Sequence, residues 1–203
     1  MSIEDVSNSI EVLRTEVMRE LQRYRDHNSC ITVSALLTRC LRAWRYPDAY
    51  PMTVRVSIYN AKAREWMEQF GIPRTEAEIA DFNQSGSAHV YIGYTPENLL
   101  PHNHWSGHLA VIVPHLFDER HGLVDLTVVQ ANKPEWGIEL PPMILKVTDN
   151  FLAGTKPCST IVQGCQVIYE AFPDDKSYNK IGHWKKIPKL REMAERIVER
   201  LAS

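Results

Sequence analysis

This 203-residue sequence has no run long and apolar enough to cross a bilayer as a helix; its most hydrophobic stretch, LAVIVPHLF (109–117), is short and broken by Pro114. A secretory signal is not expected either, because MSIEDVSNSIEVL is acidic and amphipathic, with neither a basic start nor an apolar centre. The four cysteines (Cys30, Cys40, Cys158, Cys165) are too few and too scattered for a disulfide framework, and none form a C-x-x-C pair that would hold zinc. If a cysteine matters here, reactivity is the reason. Positive charge is not in excess: 23 Lys and Arg stand against 25 Asp and Glu, a net charge of −2, with no long basic stretch before the last thirty residues. Nucleic acid and membrane are therefore not expected partners. There is no internal repeat, low-complexity tract or linker, so residues 1–203 read as one domain with a sizeable core. The expectation is a soluble cytoplasmic protein that needs no cofactor.

What is present begins with helices. Ile3, Val6, Ile10, Leu13, Val17, Leu21 and Tyr24 recur at three- and four-residue steps, predicting an amphipathic helix over 3–25. Asn28 or Ser29 would cap a second helix whose stripe runs Cys30, Val33, Leu37, Cys40 or Leu41, and Trp44. MTVRVSIYN (52–60) alternates with period two and predicts a strand; AKAREWMEQFG predicts a short helix ended by Gly71; SAHVYIGY (87–94) predicts a strand after the loop-like NQSGS. HLAVIV and GLVDLTVV read as strands joined through PHLFDERH as a hairpin connection, PPMILKV and CQVIYEAF as two more strands, and PKLREMAERIVERLAS as a tail helix from Pro188. The class is α+β, with helices packed on a mainly antiparallel sheet.

PHNHWSGHLAVIV (101–113) gathers His102, His104 and His108. In an antiparallel hairpin opposed residues have a constant sum; 108 + 125 = 233 centres the pair on 116.5, inside PHLFDERH. That register sets His108 and Asp125 opposite one another on one face, close enough for imidazole to donate to carboxylate. A His held by an Asp has a fixed tautomer and a stabilised imidazolium, as a general base requires. Cys30 is the candidate nucleophile, because in a first helical turn backbone N–H groups and the helix dipole favour thiolate and can serve an oxyanion. The plain alternative is a buried structural thiol on an apolar stripe.

Cys at a helix start, Gly-His leading a strand and Asp on the next strand, carried by SCITVSALLTRCLRAW, WSGHLAVIV and LVDLTVVQANKPEWGIELPP, resemble the transglutaminase-like branch of the papain-like cysteine hydrolases and acyltransferases. Arylamine acetyltransferases share that order. The resemblance covers roughly 28–147, leaving the terminal helices outside, and departs from the pattern around the nucleophile, where Ser29 and Ile31 replace small residues or Trp. It implies a papain-like fold in which the nucleophile helix packs on the sheet, Cys30 as nucleophile, His108 as base and later acid, and Asp125 as the orienting carboxylate. The implied reaction is acyl transfer or amide hydrolysis through a thioester, on a protein, peptide or small-molecule amide or acyl substrate. Trp105, Trp136 and Gln130 are candidate walls of the substrate cleft, and Gln22 or Gln130 could supply a second oxyanion donor.

Two other readings compete. His102, His104 and His108 share parity, so with Asp125 they could hold zinc in a hydrolase, although Pro101, Asn103 and Gly107 suit a loop and Ser106 stands where an H-x-H-x-D-H motif needs Asp. A non-catalytic interaction domain of the same fold would use the terminal helices for docking or oligomerisation and leave Cys30 inert. His89, His115 and His121 read as strand or turn residues, and Cys40, Cys158 and Cys165 as structural.

Overall fold

The computed structural model describes residues 3–22, 30–93, 107–180 and 187–202. Helix α1 (Ile3–Gln22) buries Ile10, Leu13, Val17 and Leu21, and α2 (Cys30–Trp44) buries Val33, Leu36, Leu37, Cys40 and Leu41. Each of these leucines, removed wholly from water, contributes about 1.5–3 kcal/mol. Tyr24 and the Asn28 or Ser29 cap lie outside the described residues. Strand β1 (Tyr50–Tyr59) leads into α3 (Ala61–Phe70), which starts where the Asn60 side chain accepts the Ala63 N–H and stops at Gly71, whose φ of 84° a side chain would resist. Helix α4 (Glu76–Gln84) reaches into the expected NQSGS loop. It buries just Phe82 and so shows no apolar stripe; its start is a capping box in which Thr75 accepts the Glu78 N–H and Glu78 accepts the Thr75 N–H.

Strand β2 (His89–Gly93) precedes a hairpin of β3 (His108–Phe117) and β4 (Arg120–Asp125). Most of PHLFDERH is thus strand, and the turn is Asp118-Glu119 alone. Pro114 has no N–H to give the ladder and His115 takes a φ of 56°; the register shifts between Val113 and Phe117, which lets pairing resume beyond them. β4 ends at Asp125 rather than running on through GLVDLTVV, because the Asp125 carboxylate draws in the N–H groups of Thr127 and Val128 and the chain bends into a 3-10 turn, Val128–Ala131. β5 (Met143–Val147) and α5 (Asp149–Leu152) follow. β6 (Cys158–Val162) was hidden by its mixed polarity; it joins β7 (Cys165–Phe172) through Gln163-Gly164, both at positive φ, a two-residue hairpin turn. α6 (Ile187–Ala202) is the tail helix.

The class is α+β, as the patterning predicts: the sheet order is β5-β4-β3-β1-β7-β6, with β2 also on β1 and every pairing antiparallel. β3 and β2 lie end to end along one edge of β1, with His108 opposite Val54 and Gly93 opposite Arg55. The sheet curls until its two end strands meet, the Cys158 thiol of β6 standing 3.7 Å from the Lys146 carbonyl of β5, so it is nearly a closed barrel. Inside are Val54, Ala110, Ile112, Leu123, Met143, Val167 and Tyr169; outside, Val111, Val113, Val124 and Leu126 pack beneath α1, α2 and α6. Burial on both faces is why LAVIV is unbroken by polar residues. Among the described residues, no helix is long and apolar enough to cross a membrane.

Candidate active site

His108 opens β3 with the parity of Ala110 and Ile112, and Asp125 closes β4 with the parity of Leu123, so both belong to the barrel side of the sheet. Their register differs from the expected one: Val111 faces Val124 and Ile112 faces Leu123, a sum of 235 rather than 233. His108 and Asp125 are therefore diagonal neighbours. A slip of two keeps both side chains on their face, since the pleat repeats every two residues, and the length of the imidazole covers the diagonal. His108 Nε2 and Asp125 Oδ2 stand 2.8 Å apart, with His108 2% and Asp125 1% exposed.

The carboxylate is saturated with donors. Besides His108, Oδ2 accepts the Tyr169 hydroxyl at 3.0 Å; Oδ1 accepts the Thr127 N–H at 2.9 Å, the Thr127 hydroxyl at 3.1 Å and the Val128 N–H at 3.0 Å. Burial alone would push the Asp125 pKa up. The His108 charge and the hydrogen bonds from His108, Thr127 and Tyr169 outweigh it and hold the group below its ordinary value. For His108, burial works against the charged ring, but the Asp125 charge and hydrogen bond, with the Cys30 sulfur adding to them, raise its pKa above the usual value. Tyr169 is pushed well up by burial and by Asp125, so it remains a donor.

Cys30 arrives from the outer, helical layer. It is the first residue of α2, partly buried against Ile31, Leu109 and Tyr178, and its thiol faces the Gly107 carbonyl at 3.9 Å. Its sulfur is also one of the groups that raise the His108 pKa, which makes the two side chains neighbours. Because Nε2 is engaged by Asp125, Nδ1 is the nitrogen left for sulfur. One turn on, the Ser34 hydroxyl donates to the Leu109 carbonyl at 2.9 Å and fixes α2 against β3. Gly93 closes the other side: a Cβ there would stand 2.4 Å from the Val54 carbonyl oxygen and 3.0 Å from the His108 Cβ, so only glycine allows the β2 backbone this near the imidazole. A thiol, an imidazole and an ionised carboxylate in series can carry nucleophilic acyl chemistry, with Cys30 at a helix start where backbone N–H groups can face an oxyanion.

Cys30, His108 and Asp125 are thus brought together. Of the expected cleft residues, Trp136 does not join them. Trp136 lines a different hollow, with Asn60 and His89, in which none of the three takes part. His89 pairs with Tyr59, five residues along β1 from Val54, or roughly 16 Å at strand rise. Gln130 is exposed on the turn after Asp125, and Gln22 is exposed at the end of α1. Trp105, His102 and His104 lie outside the described residues, and among those described no group of three His, Cys, Asp or Glu side chains is set to hold a metal ion. Tyr169 and Thr127 carry no signal beyond type and parity: a Tyr on the inner face of CQVIYEAF needs a partner for its hydroxyl. Compared with family models, curated proteins and solved structures, the chain matches none.

Proposed function

We propose that Cys30, His108 and Asp125 form a catalytic triad for acyl transfer or amide hydrolysis, in the manner of the transglutaminase-like and papain-like cysteine enzymes that the sequence resembles. The observation that carries this reading is the His108–Asp125 hydrogen bond of 2.8 Å, made inside the barrel, with the Cys30 sulfur at the start of α2 near enough to act on the same imidazole. A nucleophile helix packed on a curled antiparallel sheet also suits that fold family.

In the proposed reaction the Cys30 sulfur attacks the carbonyl carbon of an amide or thioester. A C–S bond forms and the carbonyl π electrons move onto oxygen. The tetrahedral intermediate collapses, the bond to the leaving amine or thiolate breaks, and the leaving group takes its proton from His108, leaving a thioester on Cys30. Water or an amine then attacks the thioester carbonyl and gives a proton to His108; the second tetrahedral intermediate collapses, the C–S bond breaks, and Cys30 leaves as the thiolate beside the protonated imidazole. Asp125 stays ionised throughout and fixes the tautomer.

The test is iodoacetamide alkylation followed cysteine by cysteine, in wild type and in His108→Ala. At about pH 6, Cys30 is expected to react faster than Cys158, whose burial raises its pKa, and to slow at least about tenfold in the variant. Equal rates at Cys30 in the two proteins would overturn the proposal and leave an interaction domain.

A further inference from the structure

The hollow that holds Trp136 lies at the far end of β1 and β2 from His108, has a volume of about 670 Å³, and takes no side chain from the triad. Its size is that of a small-molecule site. Its walls come from the start of α3, the stretch from Asn83 to the start of β2, and the 3-10 turn Pro134–Trp136 with Gly137, three segments distant in sequence.

One buried side chain ties them together. Asn60, 5% exposed, accepts at Oδ1 from the Ala63 N–H (2.8 Å) and the Ala88 N–H (3.1 Å), and donates from Nδ2 to the carbonyls of Gly86 (3.0 Å) and Trp136 (2.8 Å). All four capacities of its amide are used. The Trp136 turn is pinned twice more, by the Cys165 thiol on the Gly137 carbonyl at 3.4 Å and by the paired Lys133 and Ile138 backbones. The backbone of Trp136 is thus anchored, yet its side chain is left out of both cores and the residue is 47% exposed. A large aromatic displayed by an anchored turn on a hollow is suited to stacking with a flat ligand.

The polar lining gives the charge of that ligand. The Lys62 ammonium lies over Gly86, 2.9 Å from where a Cβ would be, and has no ion-pair partner among the described residues. Glu135, Asn83 and Ser87 also line the hollow, with His89 stacked flat on Tyr59 at 4.2 Å and 5°. We propose that this hollow is a second binding site, for a small aromatic acid whose ring stacks on Trp136 and whose carboxylate or phosphate pairs with Lys62. It stands independently of the proposed acyl chemistry.

Phenyl phosphate, benzoate, phenol and inorganic phosphate are the probes, added to the full chain while the indole N–H signal of Trp136 is followed by NMR and assigned by its loss in Trp136→Phe. Phenyl phosphate or benzoate is expected to shift that signal saturably, telling a phosphate from a carboxylate ligand by which binds tighter. Lys62→Ala should weaken that acid about tenfold while leaving phenol unchanged. Cys30→Ala should bind as wild type does, so that failure here is separate from failure of the triad. No saturable shift with either aromatic acid, equal affinity in Lys62→Ala, or binding of inorganic phosphate as tight as that of phenyl phosphate would each overturn the proposal.

Discussion

Two buried acidic side chains, Asp125 in the barrel and Glu20 between the terminal helices, are each 1% exposed and each accept several hydrogen bonds, yet their surroundings serve different ends. Glu20 Oε1 takes both Nε and Nη2 of Arg196, at 2.9 and 2.6 Å, and Oε2 takes Arg200 at 3.1 Å, while Arg200 also reaches Glu16 at 2.6 Å. Guanidinium never gives up its proton in this setting, so that network is fixed in charge and joins α1 to α6. Asp125 instead has neutral donors on four of its five contacts and one titratable partner, His108, on which the Cys30 sulfur also acts. The lesson is that burial of a carboxylate leaves its behaviour to the partner: an arginine keeps its charge, whereas a histidine can change it.

The comparison breaks most sharply at Asp125. Asp125→Ala strands an imidazole, two hydroxyls and two backbone N–H groups, and is expected to cost about 3–5 kcal/mol in urea unfolding. It should also abolish the rapid labelling of Cys30. Glu20→Ala is expected to cost less, about 1–2 kcal/mol, since Arg196 and Arg200 are about one-third exposed and turn to water. Labelling of Cys30 should be unchanged; a loss there would show that the α1–α6 junction also sets the thiol.

The smallest expected effect is that of Tyr169→Phe, about 1 kcal/mol for one hydrogen bond, and it acts on pH dependence. The folded Asp125 pKa is depressed, so its stabilisation is present above the unfolded value of about 3.9 and is lost as pH falls through the folded one. Removing a donor raises that folded pKa, and acid unfolding should begin at higher pH in the variant. The folded His108 pKa is raised, so its contribution is full below about 6.5 and fades as pH rises toward the folded value; that alkaline limb should survive in Tyr169→Phe. Identical acid limbs in wild type and variant would remove Tyr169 from any part in holding the carboxylate.

The site was half legible. A cysteine opening a helix, Gly-His at the mouth of a strand and an aspartate of matching parity all rest on local periodicity, and parity survives a register error of two. The register itself did not follow from counting, because Pro114 and His115 shift the ladder within the hairpin. Tyr169 was out of reach for a different reason: β1 and β3 lie between β7 and β4, and no local pattern spans two intervening strands. Trp136 follows the Asp strand closely in sequence, yet the turn carries it to another hollow.

By itself the sequence determined the amphipathic helices α1, α2 and α6, the faces of the strands with a clear period, and the side of the sheet that His108 and Asp125 join, since these follow from periods of 3.6 and 2 along the chain. Only the tertiary structure decided that the sheet curls until β5 meets β6, enclosing the Asp125 carboxylate with Tyr169, and that α2 delivers Cys30 to the one end of β3 where His108 waits. Curvature, strand order and helix docking arise from contacts between residues far apart in the chain, and those energies have no local signature.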